Sequence, residues 1–146
     1  MSNTSIYFHS ESSFVLKKKR ALRQWLNASI AEENAEAGAI NFIFCDDEYL
    51  HDLNKKYLHH DTLTDIITFD NREPAANNQQ PITADIFIST ERVRDNAKNL
   101  NTKFDDELHR VMIHGILHLL SYNDKTSAQK TEMCEKEDYY LSLRSY

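Results

Sequence analysis

From Phe104 to Leu120 the chain carries Leu108, Val111, Met112, Ile113, Ile116, Leu117, Leu119 and Leu120, which at helical periodicity wrap nearly the whole circumference. A helix that is apolar on all sides must be buried, so the rest of the molecule has to be built around this segment. Two histidines interrupt it. His114 and His118 stand four residues apart, which places their rings on one face, one turn apart. Two imidazoles buried side by side leave ring nitrogens that are costly to satisfy, and a metal ion satisfies both. Asp124, six residues further on, offers a third donor from the turn after the helix. Three such donors define three corners of a tetrahedron and leave the fourth to water, as in a catalytic rather than a structural site.

The spacing differs from the metallopeptidase pattern H-E-x-x-H, in which the glutamate acts as general base. Gly115 holds the glutamate position here, which argues against an ordinary protease. Glycine inside a helix costs roughly 1 kcal/mol relative to alanine. Gly115 therefore implies that a side chain would collide with a neighbouring helix or with a substrate. Asp124 has a second reading, as a cap of the helix that follows. If it is a ligand, a zinc site with two neutral histidines and one carboxylate has net charge +1, and acidifies its water less than three histidines would. His51, His59, His60 and His109 fall off the pattern and read as surface or packing residues.

The remaining elements follow from apolar spacing and capping residues. A strand is expected over 5–9, a helix from Ser12 or Ser13 to Glu36, and a strand over 40–45. A helix capped by Asp46 or Asp47 runs to Tyr57, followed by a strand over 65–69. A polar loop spans Asn71 to Pro81 and joins this strand to the next, 84–89, as a long antiparallel hairpin. Helices over 90–100, 104–120 and 127–142 complete the chain. The expectation is an α/β (α+β) fold with four strands in one sheet, about five helices packed on it, and the metal site on the buried helix and its following turn.

The chain of 146 residues fits a single domain, 1–146. No stretch approaches the roughly 20 apolar residues of a membrane helix. Met1 to Thr4 show no basic region ahead of an apolar core, so no signal peptide is expected. Cys45 and Cys134 lie far apart and fit a reducing cytoplasm. A net charge of −6 argues against bulk electrostatic binding of nucleic acid but leaves room for a local patch. Lys17, Lys18, Lys19, Arg20 and Arg23 form one such run, or a solvated helix face.

The segment His114-Gly115-Ile116-Leu117-His118-Leu119-Leu120-Ser121-Tyr122-Asn123-Asp124 resembles the H-G-x-L-H-L-x-G-Y-D-H signature of the YbeY family. Upstream, Thr64-Asp65-Ile66-Ile67-Thr68-Phe69 resembles the family's T-D-V-L-S-F strand, Ala84-Asp85-Ile86 its G-D-I strand, and Leu53-Asn54-Lys55-Lys56-Tyr57 its L-N-x-x-Y element. The resemblance implies a mostly antiparallel sheet covered by helices, and one Zn²⁺ held by His114, His118 and Asp124, the last where the family has histidine. It implies a single-strand-specific endoribonuclease maturing the 3′ end of 16S ribosomal RNA and serving ribosome quality control. Its partners would be ribosomal RNA, the small ribosomal subunit and assembly factors in the cytoplasm, with neither membrane nor DNA. The metal would either supply hydroxide or polarise a phosphate oxygen for attack by the ribose 2′-OH.

Leu58 stands where the family has an arginine able to clamp phosphate. Lys55, Lys56 and His59 flank it as alternative phosphate contacts or as a solvated helix end. Three other readings stay open: a ribosome-assembly binding factor that keeps zinc as a structural relic, a small metal-dependent amide hydrolase, and a non-haem iron site of two histidines and one carboxylate.

Overall fold

A computed structural model describes residues 5–73 and 80–144. Met1 to Thr4 lie outside the described residues, as do Pro74, Asn77, Asn78 and Gln79 of the expected polar loop. The elements are β1 (Ile6–Ser10), α1 (Lys19–Glu32), β2 (Ala37–Cys45), α2 (Asp47–Leu58), β3 (Ile66–Asp70), β4 (Ile82–Ser89), α3 (Thr90–Leu100), α4 (Phe104–Leu119) and α5 (Ser127–Ser142).

The four strands form one sheet in the order β1-β2-β4-β3. β3 and β4 pair antiparallel, as the hairpin reading expects. β1 with β2 and β2 with β4 are parallel, so the sheet is mostly parallel and the expectation of a mostly antiparallel sheet is overturned. The cause is the connection. α1 carries the chain back across the sheet between β1 and β2, and a helical crossover of this kind returns the next strand parallel to the first. Then β3 takes the edge and the hairpin inserts β4 between β3 and β2.

Side chains alternate across the strands and sort the apolar residues onto two faces. Ile40, Phe42 and Phe44 of β2 and Ile82, Ala84, Ile86 and Ile88 of β4 join the main core with α1, α4 and α5. On the other face Cys45 and Ile67 meet Leu50 of α2, with Leu53, Phe69 and Phe87 at the margin. α4 lies on the main face, packed on β3 and β4 and flanked by α3 and α5. Its buried positions circle the helix, as the sequence requires. Among the described residues no helix is long and apolar enough to cross a membrane.

α1 is shorter than expected at both ends. It starts after Lys18, a left-handed residue with φ 60°, rather than at Ser12 or Ser13. The Ser12 hydroxyl accepts the Phe14 amide at 3.3 Å, a local turn that competes with helix. The segment after it turns Phe14 onto Phe44, with ring centroids 5.3 Å apart, and buries Leu16.

His109 is 5 % exposed, packed beside the Trp25 ring and accepting a 2.7 Å hydrogen bond from Arg144 Nη1 at Nδ1. Burial, aided by the Arg144 charge, pushes its pKa down to about 4. A buried neutral histidine of this kind contributes stability above its unfolded pKa of about 6.5, and that contribution drains away as pH falls towards 4. Urea unfolding at pH 7 and pH 4.5 is expected to show wild type losing roughly 2–3 kcal/mol more than His109→Gln over that interval. Equal losses in the two proteins would contradict this assignment.

Candidate metal centre

The end of α4 sets the geometry of the site. The Tyr122 amide donates to the Leu117 carbonyl at 3.0 Å and the Ser121 amide to the His118 carbonyl at 3.0 Å. These are the two bonds of a Schellman motif, which reverses the chain just after the second histidine. The residue at the reversal is Ser121, with φ 80°. A side chain there is strained, which is why the resembled family signature has glycine at this place. Ser121→Gly is expected to stabilise the protein by about 1 kcal/mol, read as a rise of a few degrees in Tm. An unchanged or lowered Tm would mean that the turn carries no such strain.

The reversal aims Asp124 back at the helix. Its Oδ2 lies 3.5 Å from His114 Nε2 and 3.3 Å from His118 Nε2. One donor atom from each of His114, His118 and Asp124 falls within 4.8 Å of the others. Donors bound tetrahedrally at about 2.0–2.1 Å stand roughly 3.3–3.4 Å apart, so two of the three separations already match a small tetrahedral cation. Two imidazole nitrogens and one carboxylate oxygen are also a donor set that zinc accepts. The capping alternative for Asp124 does not hold. Thr126 caps α5, accepting the Gln129 amide at 3.1 Å in a reciprocal capping box.

Glu137 orients the first histidine. His114 Nδ1–H donates to Glu137 Oε2 at 2.6 Å, which turns Nε2 towards Asp124 as the nitrogen open to a metal once the ring is neutral. Arg110 Nη1 donates to the other Glu137 oxygen at 2.8 Å. Burial alone would lower the His114 pKa; Glu137, with Asp124 and Asp65, holds it above the ordinary value instead. Glu137 is buried. Sequence reasoning missed it, although the signal exists: Met133, Glu137 and Tyr140 are the buried residues of α5, at i, i+4 and i+7, with an acid where the stripe calls for a hydrophobe.

A second carboxylate anchors the ligand turn. Glu33, just past α1, accepts from Tyr122 at 2.7 Å, from Lys136 at 3.1 Å and from Tyr140. Burial works to raise its pKa, but the three donors outweigh burial and keep it below the usual carboxylate range. Tyr122 is thereby fixed two residues before Asp124.

The three donors open into a cleft whose other walls include Leu58, Asp65, Ile66, Thr68 and Asp70. Burial pushes the Asp65 carboxyl up, with the His114 charge opposing. Leu58 does reach this cleft, whereas Lys55, Lys56 and His59 are not among its walls. Gly115 faces the sheet beneath: a Cβ there would come within 2.9 Å of Ile66 Cδ1 and 3.4 Å of Ile86 Cγ2. The collision that its sequence position implies is with the sheet, not with a helix or a substrate. His51 pairs with Asp61 at 2.7 Å, and His59 and His60 are exposed, in keeping with their reading as surface residues. Cys45 and Cys134 are unbridged; burial pushes the Cys45 thiol up to about 12, out of reach of ordinary thiolate chemistry.

The family model described as Endoribonuclease YbeY matches residues 6–144. The chain is 50 % identical over 143 residues to the Endoribonuclease YbeY of Christiangramia forsetii, covering 98 % of this chain and 96 % of that relative. It is 49 % identical over 138 residues to that of Flavobacterium johnsoniae, covering 94 % and 96 %. A solution structure of a Thermotoga maritima protein superposes with a TM-score of 0.64 at 27 % identity, covering 94 % of this chain and 87 % of that one.

Proposed function

Because this chain belongs to the YbeY endoribonuclease family, we propose that it is a zinc-dependent, single-strand-specific endoribonuclease that matures the 3′ end of 16S ribosomal RNA and serves ribosome quality control. The observation that carries the reading is the convergence of His114, His118 and Asp124 in an open cleft. These three residues are the proposed ligands, within one domain that spans the chain. The proposed partners are single-stranded RNA, the small ribosomal subunit and its assembly factors, in the cytoplasm.

His114, His118 and Asp124 would hold the zinc ion, which would supply Lewis-acid chemistry towards a phosphodiester. The chain's own groups do the rest. Glu137 fixes the tautomer and tilt of His114. Glu33, through Tyr122, holds the turn that presents Asp124. Asp65 lines the same cleft, its carboxyl pushed up by burial, and is the proposed acid–base group of the site. Ile66 and Leu119 give the cleft apolar walls beside the three donors.

Leu58 favours a second reading, a binding factor in ribosome assembly that does not cut, because hydrocarbon lines the cleft where the resembled motif has a phosphate clamp. One assay separates the two. Zinc-loaded wild type and His118→Ala are incubated with labelled single-stranded RNA and with the same RNA as a duplex. Zinc-dependent cutting of the single strand by wild type alone supports the nuclease. Binding without cutting by the zinc-loaded protein supports the binding factor.

A further inference from the structure

An enzyme acting on RNA must hold a polyanion, and lysine and arginine contacts to phosphate supply much of that affinity. Among the described residues, the walls of the metal cleft carry Asp65, Asp70 and Asp124 and no lysine or arginine. Arg72 lies near the rim, but its Nε and Nη2 already donate to Asp70 and to the Leu119 carbonyl. One divalent cation can offset this local charge; it cannot track a strand.

The cations are gathered at the other end of α4. A cavity of about 450 Å³ is lined by Lys17, Lys18, Arg94, Lys103 and Arg144. Its carboxylates are Asp105 and Asp106, the latter paired with Arg144 at 3.1 Å. Five cations against two carboxylates make this concavity positive on a chain of net charge −6. Lys17 and Lys18 belong to the basic run that the sequence singles out. The late start of α1 takes them off the helix and puts them in the cavity wall.

Aromatic rings lie among these charges. Phe14 and Phe104 meet edge to face at 5.9 Å, and the Arg94 guanidinium sits 4.7 Å over the Phe104 ring. Cations beside aromatic faces are the usual means of holding a single strand without reading its sequence. The cavity and the metal cleft lie at opposite ends of α4 and share no wall residue. Lys103 at the N-cap of α4 and Arg110 and His114 within it recur at i, i+7 and i+11, along one stripe. A second hollow on that side is lined by Lys103, Arg110 and Arg144 but also by Asp106, Glu107 and Asp138, and Arg110 is taken up by Glu137 and Asp138, so the excess of positive charge stays in the first cavity. Lys103 lies about 16 Å from His114 along the helix axis, a span of a few nucleotides.

We propose that this basic cavity at the start of α4 is a second RNA contact, which grips the phosphodiester backbone of a single strand while the metal cleft acts on it a few nucleotides away. The proposal rests on the ribonuclease reading above.

The test is equilibrium binding of a fluorescein-labelled 2′-O-methyl RNA of twelve nucleotides, followed by anisotropy at 50 to 200 mM KCl. Zinc-loaded wild type, Lys17→Glu/Lys103→Glu, Lys17→Gln/Lys103→Gln and His118→Ala are compared. Lys17 and Lys103 are exposed, so the substituted chains fold; unchanged Tm and zinc content check this. The charge reversal is expected to weaken binding at least tenfold at 50 mM salt, and the neutral pair by less. The slope of log affinity on log salt should fall by about 1.4 for two lost single-strand phosphate contacts. Equal affinity and slope in wild type and both lysine variants would overturn the proposal, and loss confined to His118→Ala would overturn it while leaving the nuclease reading intact. Displacement of the RNA by polyglutamate at equal charge concentration would also overturn it, by assigning the cavity to an acidic protein segment. A wild type that neither binds RNA nor cuts it would bring down the nuclease reading, and the proposal with it.

Discussion

Asp124→Ala is expected to empty the centre. The substitution removes the only carboxylate of the three-donor cluster and leaves two imidazoles on one face of α4. Loss of an outer-shell partner already lowers metal affinity about 10–100-fold, so loss of a ligand should exceed about 100-fold. Zinc per chain after dialysis should fall from about one to near none, and single-strand cleavage should fall with it. The fold should stand, because Asp124 is part-exposed and α5 keeps its own cap at Thr126. Asp124→His should restore binding, since imidazole is an equal zinc donor. Three neutral histidines leave charge +2 at the ion in place of +1, so the restored centre should reach full activity at lower pH than wild type. Full zinc content in Asp124→Ala would remove Asp124 from the ligand set.

Glu137→Gln is expected to weaken zinc binding about 10–100-fold without touching a ligand. The amide keeps the size of the side chain but loses the charge that holds His114 Nδ1–H and Arg110 together. A pH series separates this positioning role from mere destabilisation. In the metal-free wild type burial works to lower the His114 pKa, but Glu137, helped by Asp124 and Asp65, raises it above the ordinary value. A raised histidine pKa stabilises the metal-free fold below about 6.5, and that contribution is lost as pH rises through the folded value. Zinc must displace the same proton, so wild-type affinity should decline with falling pH from above 6.5. In Glu137→Gln that decline should begin at lower pH, giving a weaker site with less proton competition. An affinity loss with an unshifted pH profile would make Glu137 a packing residue only.

Much of this site is written locally in the sequence, and what is missing there is missing for physical reasons. His114 and His118 share one helix face by spacing alone, and Asp124 reaches them because the chain reverses within three residues. These are short-range geometries, legible from one segment. Glu137 and Glu33 belong to other elements and meet the site only after α1, α4 and α5 pack together. Sheet direction failed for a related reason. The β3–β4 hairpin announces itself by its loop, but the parallel pairings depend on where α1 carries the chain. Gly115 was legible as a point of close approach, while the identity of its neighbour, Ile66 of β3, depended on which layer lies beneath α4. The start of α1 is not legible in the sequence because Ser12 serves a turn as readily as a cap, and burial of Leu16 decides between them.

The most direct measurement is zinc K-edge X-ray absorption on protein purified without chelator. One zinc per chain is expected, in a shell of nitrogen and oxygen at about 2.0–2.1 Å, with the outer scattering of two imidazoles and no sulfur. Chains without zinc, or a sulfur scatterer at about 2.3 Å that would point to cysteine, would contradict it.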